Sequence, residues 1–191
     1  DEIPQHVVPI SEINKTDALI SIRIPSLMSI PISYQYGMRD QMLDIIKTLN
    51  DQGYMNVKIL CHDHRDIPFA ASFDQVDYLF TEDIYAYLTL LKNTRLCITY
   101  RLHSFIPCLA YDVPTIKISY DQRAISMLDT IGMQDWNINL LTQDVAQEVG
   151  KRITSLGDLQ TIKDDLKKDK WPELKQVVEE NFSAFAKLAL S

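Results

Sequence analysis

Leu96-Cys97-Ile98-Thr99-Tyr100-Arg101-Leu102-His103-Ser104-Phe105-Ile106 is an apolar run interrupted by an arginine and a histidine, after which a second apolar run continues to Ala110. Arg95 to Thr99 reads as a strand and Leu102 to Tyr111 as a helix, so Arg101 and His103 stand where one hands over to the other. In an open α/β sheet that junction is where ligands bind. A helix N-terminus offers free N–H groups and a positive dipole end, both of which favour anions. Arginine adds a planar fork suited to oxyanions, and histidine carries protons near neutral pH.

The flanking sequence repeats the strand-then-helix pattern in both directions. On the N-terminal side, Ala18 to Ile22 is a β-branched run ending in Arg23. Ile24 to Gly37, with Pro25, Pro31 and several serines, reads as a loop. Met42, Leu43, Ile45, Ile46 and Leu49 form a helical stripe over residues 38–51, closed by Gly53. Met55 to Cys61 is a second strand, His62-Asp63-His64-Arg65-Asp66 a solvated polar turn, Phe69 to Phe73 a short helix and Val76 to Phe80 a third strand. Thr81 is placed as the N-cap of a helix that buries Ile84, Tyr87, Leu88 and Leu91.

On the C-terminal side, Val113 to Tyr120 is a fifth strand entered through the turn at Asp112 and Pro114. Asp121 caps a helix that runs to Ile131 before Gly132, and Trp136 to Leu140 is a last strand. From Thr142 onward the pattern is helical only. Lys163 to Lys170 reads as a solvated helix face, and Trp171-Pro172 restarts a helix with the stripe Leu174, Val177, Val178, Phe182 and Phe185. Strands alternating with helices at this spacing predict an α/β fold, a Rossmann-like parallel sheet flanked by helices, with a helical C-terminal extension. The organisation expected is an entry segment over 1–16, the α/β domain over 17–141, and helices packed on it over 142–191.

Composition narrows the function. With 46% hydrophobic and 24% charged residues in a chain of 191, one substantial core is expected. A net charge of −7 argues against nucleic acid or an anionic membrane surface as partner, since both demand basic patches. No stretch has the length of a transmembrane segment. Cys61, Cys97 and Cys108 sit in or beside apolar runs and read as buried free thiols, consistent with a cytoplasmic setting. The chain begins at Asp1 rather than methionine, and Pro4 and Pro9 give its first residues the character of a linker, an expectation that it is part of something larger.

Glycine-rich phosphate loops of the G-x-G-x-x-G or Walker type are lacking, and so is a G-x-S-x-G elbow. Cys61-His62-Asp63-His64 lacks a fourth ligand at a spacing that would define a metal site, and no metal is called for. What remains is a row of strand-end residues: Arg23, the His62–Asp66 turn, Arg101 with His103, and Tyr120 with Asp121 and Arg123. A parallel sheet brings all of these to one edge, where arginines and a histidine suit a phosphate or carboxylate ligand undergoing proton transfer.

Arg101-Leu102-His103, Val113-Pro114, Ser119-Tyr120-Asp121 and Ile131-Gly132 together resemble the polysaccharide pyruvyl transferase family, as does the strand Ile20-Ser21-Ile22 ending in Arg23. The family usually has glycine where this chain has Asp112 and often lysine where it has Arg123. The resemblance implies the C-terminal half of a GT-B-like enzyme whose N-terminal half supplies the other wall of the cleft. It implies transfer of pyruvate from phosphoenolpyruvate to two sugar hydroxyls as a cyclic ketal, in cell-surface or exopolysaccharide biosynthesis. No cofactor is implied, and a lipid-linked saccharide acceptor would place the enzyme at the inner face of the membrane. Arg101 and Arg23 are then expected to hold the donor's anionic groups, with His103 as acid/base or phosphate partner. Leu102, Tyr120 and Arg123 are further substrate contacts. Alternatives are the donor-binding half of a GT-B glycosyltransferase or sugar-nucleotide epimerase, and a domain that binds an anion or sugar without turnover.

Overall fold

A computed structural model describes residues 16–189, with side chains to residue 187; the entry segment expected over residues 1–16 falls almost wholly outside the described residues. The strands are β1 (Ala18–Ser21), β2 (Val57–Leu60), β3 (Asp77–Leu79), β4 (Leu96–Thr99), β5 (Thr115–Ser119) and β6 (Asn137–Asn139). The helices are α1 (Ile32–Asp51), α2 (Ile67–Ala70), α3 (Ile84–Lys92), α4 (Leu102–Ala110), α5 (Gln122–Ile131), α6 (Val145–Thr154), α7 (Leu156–Lys168) and α8 (Lys170–Ala189). The six strands form one sheet in the order β3-β2-β1-β4-β5-β6, and every pair is parallel. This is the Rossmann-like sheet flanked by helices that the sequence predicts.

The central strands are buried on both faces, which is why β1, β4 and β5 read as unbroken rather than alternating runs. Ala18, Ile20, Ile59, Ile98, Ile116 and Ile118 face one layer, where Met42, Ile45 and Leu49 of α1 and Val149 of α6 cover them. Leu19, Leu60 and Cys97 face the other, against Tyr87, Leu90 and Leu91 of α3 and Cys108 of α4. Phe105 and Leu109 of α4, Leu128 of α5 and Leu159 of α7 fill the remainder of that layer. All three cysteines are buried and unpaired, and burial pushes the Cys61 thiol up to about 12.

Several local expectations are corrected. Helix α1 begins at Ile32, inside the stretch read as loop, and Pro25–Leu27 is a 3-10 turn. Its first turns carry Ser33, Tyr34, Tyr36 and Gly37, with no apolar period to announce them, and Pro31 sets the entry. The cap of α3 is Asp83, whose Oδ1 accepts from the N–H groups of Tyr85 and Ala86; Thr81 instead accepts from the Asp83 N–H. With the start moved two residues on, Ile84 stands exposed rather than buried. Asp121 does cap α5, and Gly132 closes it at φ +80°.

The face from Lys163 to Lys170 is not simply solvated. Lys163 is fully buried and its Nζ lies 3.0 Å from Asp112 Oδ1, which Lys167 also contacts. Asp112 has φ +59°, the left-handed conformation that glycine adopts freely. The departure from the family's glycine therefore has a physical account: an aspartate tolerates this turn and ties α7 to the entry of β5. Beyond these helices, α8 leaves Val177, Val178, Phe182 and Phe185 exposed, so its apolar stripe is not buried among the described residues. Among the described residues no helix is long and apolar enough to cross a membrane.

Candidate active site

The connections from β1 and β4 depart to opposite sides of the sheet, β1 toward β2 and β4 toward β5. Between the C-terminal ends of these two neighbours the chain must open a crevice, the switch point of a doubly wound sheet. Ile22 and Arg23 leave β1 there, and Tyr100 and Arg101 leave β4. Arg101 is the N-cap residue of α4. It is held by a reciprocal pair in which its N–H donates to Thr99 Oγ1 and the Thr99 hydroxyl donates to its carbonyl, both at 2.9 Å. Among the described residues no side chain caps this helix, and the N–H groups of Leu102 and His103 have no hydrogen-bond acceptor.

The Arg101 side chain is buried and largely committed. Its Nε donates to the Ile22 carbonyl at 2.6 Å and its Nη2 forms an ion pair with Asp66. Asp66 is fully buried and belongs to the 3-10 turn His64–Asp66. Its Oδ1 accepts from the Ile24 N–H at 2.8 Å, and its Oδ2 from the N–H groups of His62 and Asp63 at 3.3 and 3.2 Å. One carboxylate thus clamps the ends of β1, β2 and β4. The turn read as a solvated polar turn contains the buried centre of the edge. Sequence reading placed both Arg101 and the His62–Asp66 turn at this edge but read the turn as solvated and gave Asp66 no role; the one available signal was the capping pattern of Asp63 and Asp66 three residues apart.

The other expected residues gather at the same edge to different degrees. Arg23 is half-buried, and its Nε donates to the Leu27 carbonyl at 3.0 Å. Tyr120 is half-buried; burial raises its phenol pKa while the positive charges of Arg23, Arg101 and Arg123 pull it down, which places all three in its field. Arg123 is exposed and pairs with Asp121 at 3.3 Å. His103 is exposed on the first turn of α4 and stacks on His62, with ring centroids 5.4 Å apart and planes 20° apart. Leu102 is half-buried beside it, its backbone N–H being one of the two left open.

His62 stands in the turn that the sequence places at this edge, without a role of its own assigned to it there. Its Nδ1 is 3.3 Å from Tyr87 Oη, which is 2.6 Å from Ser104 Oγ, itself 2.6 Å from Ser21 Oγ. Burial, Arg101 and His103 lower its pKa, opposed by Asp66 and Asp63. Among the described residues no group of histidines, cysteines and carboxylates is arranged to hold a metal ion.

A doubly wound parallel sheet flanked by helices, with arginines and a histidine at the ends of its strands, defines a Rossmann-like domain. The sequence profile of the family described as polysaccharide pyruvyl transferase matches residues 7–122, a span that contains Arg23, His62, Asp66, Arg101, His103 and Tyr120. The chain belongs to that family, and its role is that of a pyruvyl-transferase-like protein. No curated protein matches the chain at a significant level.

Proposed function

We propose that this domain binds phosphoenolpyruvate at the β1–β4 crevice and takes part in moving its pyruvyl group onto two hydroxyls of a saccharide, in cell-surface polysaccharide synthesis. The observation that carries the reading is the convergence at one sheet edge of Arg23 after β1, Arg101 and His103 at the start of α4, and Tyr120 and Arg123 after β5. The donor carries a phosphate and a carboxylate, and two anionic groups match a crevice with more than one cation and a helix N-terminus. Its methylene carbon must gain a proton while the attacking hydroxyl, which bonds to the enol carbon, loses one, and this suits an exposed histidine. In this reading Arg23 and the N–H groups of Leu102 and His103 contact the donor anions directly. Arg101 lends its charge while Asp66 fixes its orientation. The opposite wall of the cleft is assigned to an N-terminal half of a GT-B-like arrangement.

Calorimetric titration with phosphoenolpyruvate and, separately, with a uridine diphosphate sugar tests this. Arg23→Ala is the informative variant because Arg23 makes one backbone hydrogen bond, whereas Arg101→Ala would also orphan buried Asp66. Binding of phosphoenolpyruvate that weakens by ~10-fold or more in Arg23→Ala, with circular dichroism unchanged, is the expected outcome. Selective binding of the nucleotide sugar would instead indicate a glycosyltransferase or epimerase donor site.

A further inference from the structure

A cavity of about 300 Å³ opens over the ends of β2 and β3, lined by His62, Asp63, His64, Phe80, Glu82 and Asp83, with Ile84 at its edge. Its chemistry is opposite to that of the arginine crevice. Asp63 is held by Arg65 and Asp83 caps α3, while Glu82 makes no hydrogen bond to any described residue. Glu82 and Asp83 repel a phosphate or carboxylate, Asp63 being neutralised by Arg65, while carboxylate oxygens accept hydrogen bonds from neutral hydroxyls. Phe80, with His64 edge-on at 5.7 Å, and Ile84 supply the apolar wall that a sugar ring's C–H face requires.

His62 is the wall shared by the two sites. It lines the cavity, stacks on His103 and is fixed through Nδ1 by the chain Tyr87–Ser104–Ser21. Hydrogen-bond direction decides what the ring can do. If Nδ1–H donates to Tyr87, Tyr87 to Ser104 and Ser104 to Ser21, the ring keeps a free lone pair at Nε2. The charged and titratable groups around it are Arg101, His103, Asp66, Asp63 and the Tyr87 hydroxyl.

We propose that this cavity receives the saccharide acceptor and that His62 Nε2 is the base that takes the proton from its attacking hydroxyl. The inference rests on the pyruvyl-transfer reading of the neighbouring crevice. As the hydroxyl oxygen bonds to the enol carbon of phosphoenolpyruvate, its proton passes to His62. The electron pair of the carbon–carbon double bond takes a proton at the methylene from His103. A second hydroxyl of the same sugar then displaces phosphate, which leaves with the electron pair of its carbon–oxygen bond and takes up the proton that hydroxyl releases. Acceptor and donor thus meet across the stacked imidazoles.

The tautomer of His62 is read from long-range ¹H–¹⁵N spectra of the chain labelled at histidine. The expected form is Nδ1–H, converting toward Nε2–H in Tyr87→Phe; an Nε2–H ring in the unaltered chain overturns the assignment of the base. Methyl β-galactoside, methyl β-glucoside and methyl β-mannoside are then titrated singly in the presence of phosphoenolpyruvate. At least one is expected to shift His62, His64, Phe80 and Ile84, with affinity falling ~10-fold in Glu82→Gln. Absence of any shift with all three, or the same shifts produced by uridine diphosphate, overturns the acceptor site. A phosphoenolpyruvate response at His103 without a glycoside response refutes this cavity and leaves the donor reading intact. A glycoside response with none to phosphoenolpyruvate refutes the donor reading and, with it, the role of His62 as base.

Discussion

At the scale of single residues, Asp66 and Arg101 govern the edge. Their charges are buried at 0% and 8% side-chain exposure, so neither can be released to water when the other is removed. Asp66→Ala strands the guanidinium and is expected to lower unfolding free energy by ~3–5 kcal/mol in urea titrations, as is typical of a broken buried pair. Arg123→Ala, whose partner Asp121 sits beside an arginine that is 85% exposed, should change stability by no more than ~0.5 kcal/mol. Arg101 was legible because a charged residue ended an apolar run. Asp66, 35 residues earlier, was not, since nothing in a polar turn tells a solvated aspartate from one folded under the sheet end.

At the scale of elements, the turn into β5 links strand to helix through an aspartate in a glycine's conformation. Asp112→Gly removes the ion pairs with Lys163 and Lys167 but leaves the backbone unstrained; Asp112→Ala removes the pairs and keeps φ near +59°. The glycine variant is expected to be the more stable of the two by ~1–2 kcal/mol, and both less stable than the parent, by thermal or urea unfolding. The lysine side chains hold the Asp112 carboxyl below its ordinary range. Its contribution is therefore present above the unfolded carboxyl pKa and is lost as pH falls through the lower folded value. Element type was readable from periodicity, yet the starts of α1 and α3 were not. Their opening residues make caps and exposed turns, and those carry no apolar period.

At the scale of the whole molecule, Lys117 is a lysine placed in the middle of a buried strand. Its Nζ donates to the Ile118 carbonyl at 2.6 Å, and burial drives its pKa down to about 7 against the pull of Asp121. Because the unfolded chain holds this proton up to its ordinary value of 10.5, the folded state gains stability as pH rises from about 7 toward that value. Urea titrations across that interval should show the gain, and Lys117→Met should abolish most of it while stabilising the protein near neutrality by ~2 kcal/mol. Unchanged pH dependence in the variant would assign the effect to another group. Ligand at the crevice also acts on the whole fold: phosphoenolpyruvate at ~100 times its dissociation constant should add ~2.7 kcal/mol of apparent stability in melts.

The sequence by itself determined the alternation of strand and helix, the parallel sheet, and which residues end the strands, because unbroken apolar runs and helical stripes are local patterns. It also carried the family, through Arg101-Leu102-His103 and the strand ends at Arg23 and Tyr120. Tertiary structure alone decided that β1 and β4 are neighbours at the switch point and that Asp66 locks Arg101. It likewise decided that His62 lies against His103 and that Lys163 is buried on Asp112. Each of these joins residues distant in the chain, and only the order in which strands pack brings such charges and rings within bonding distance.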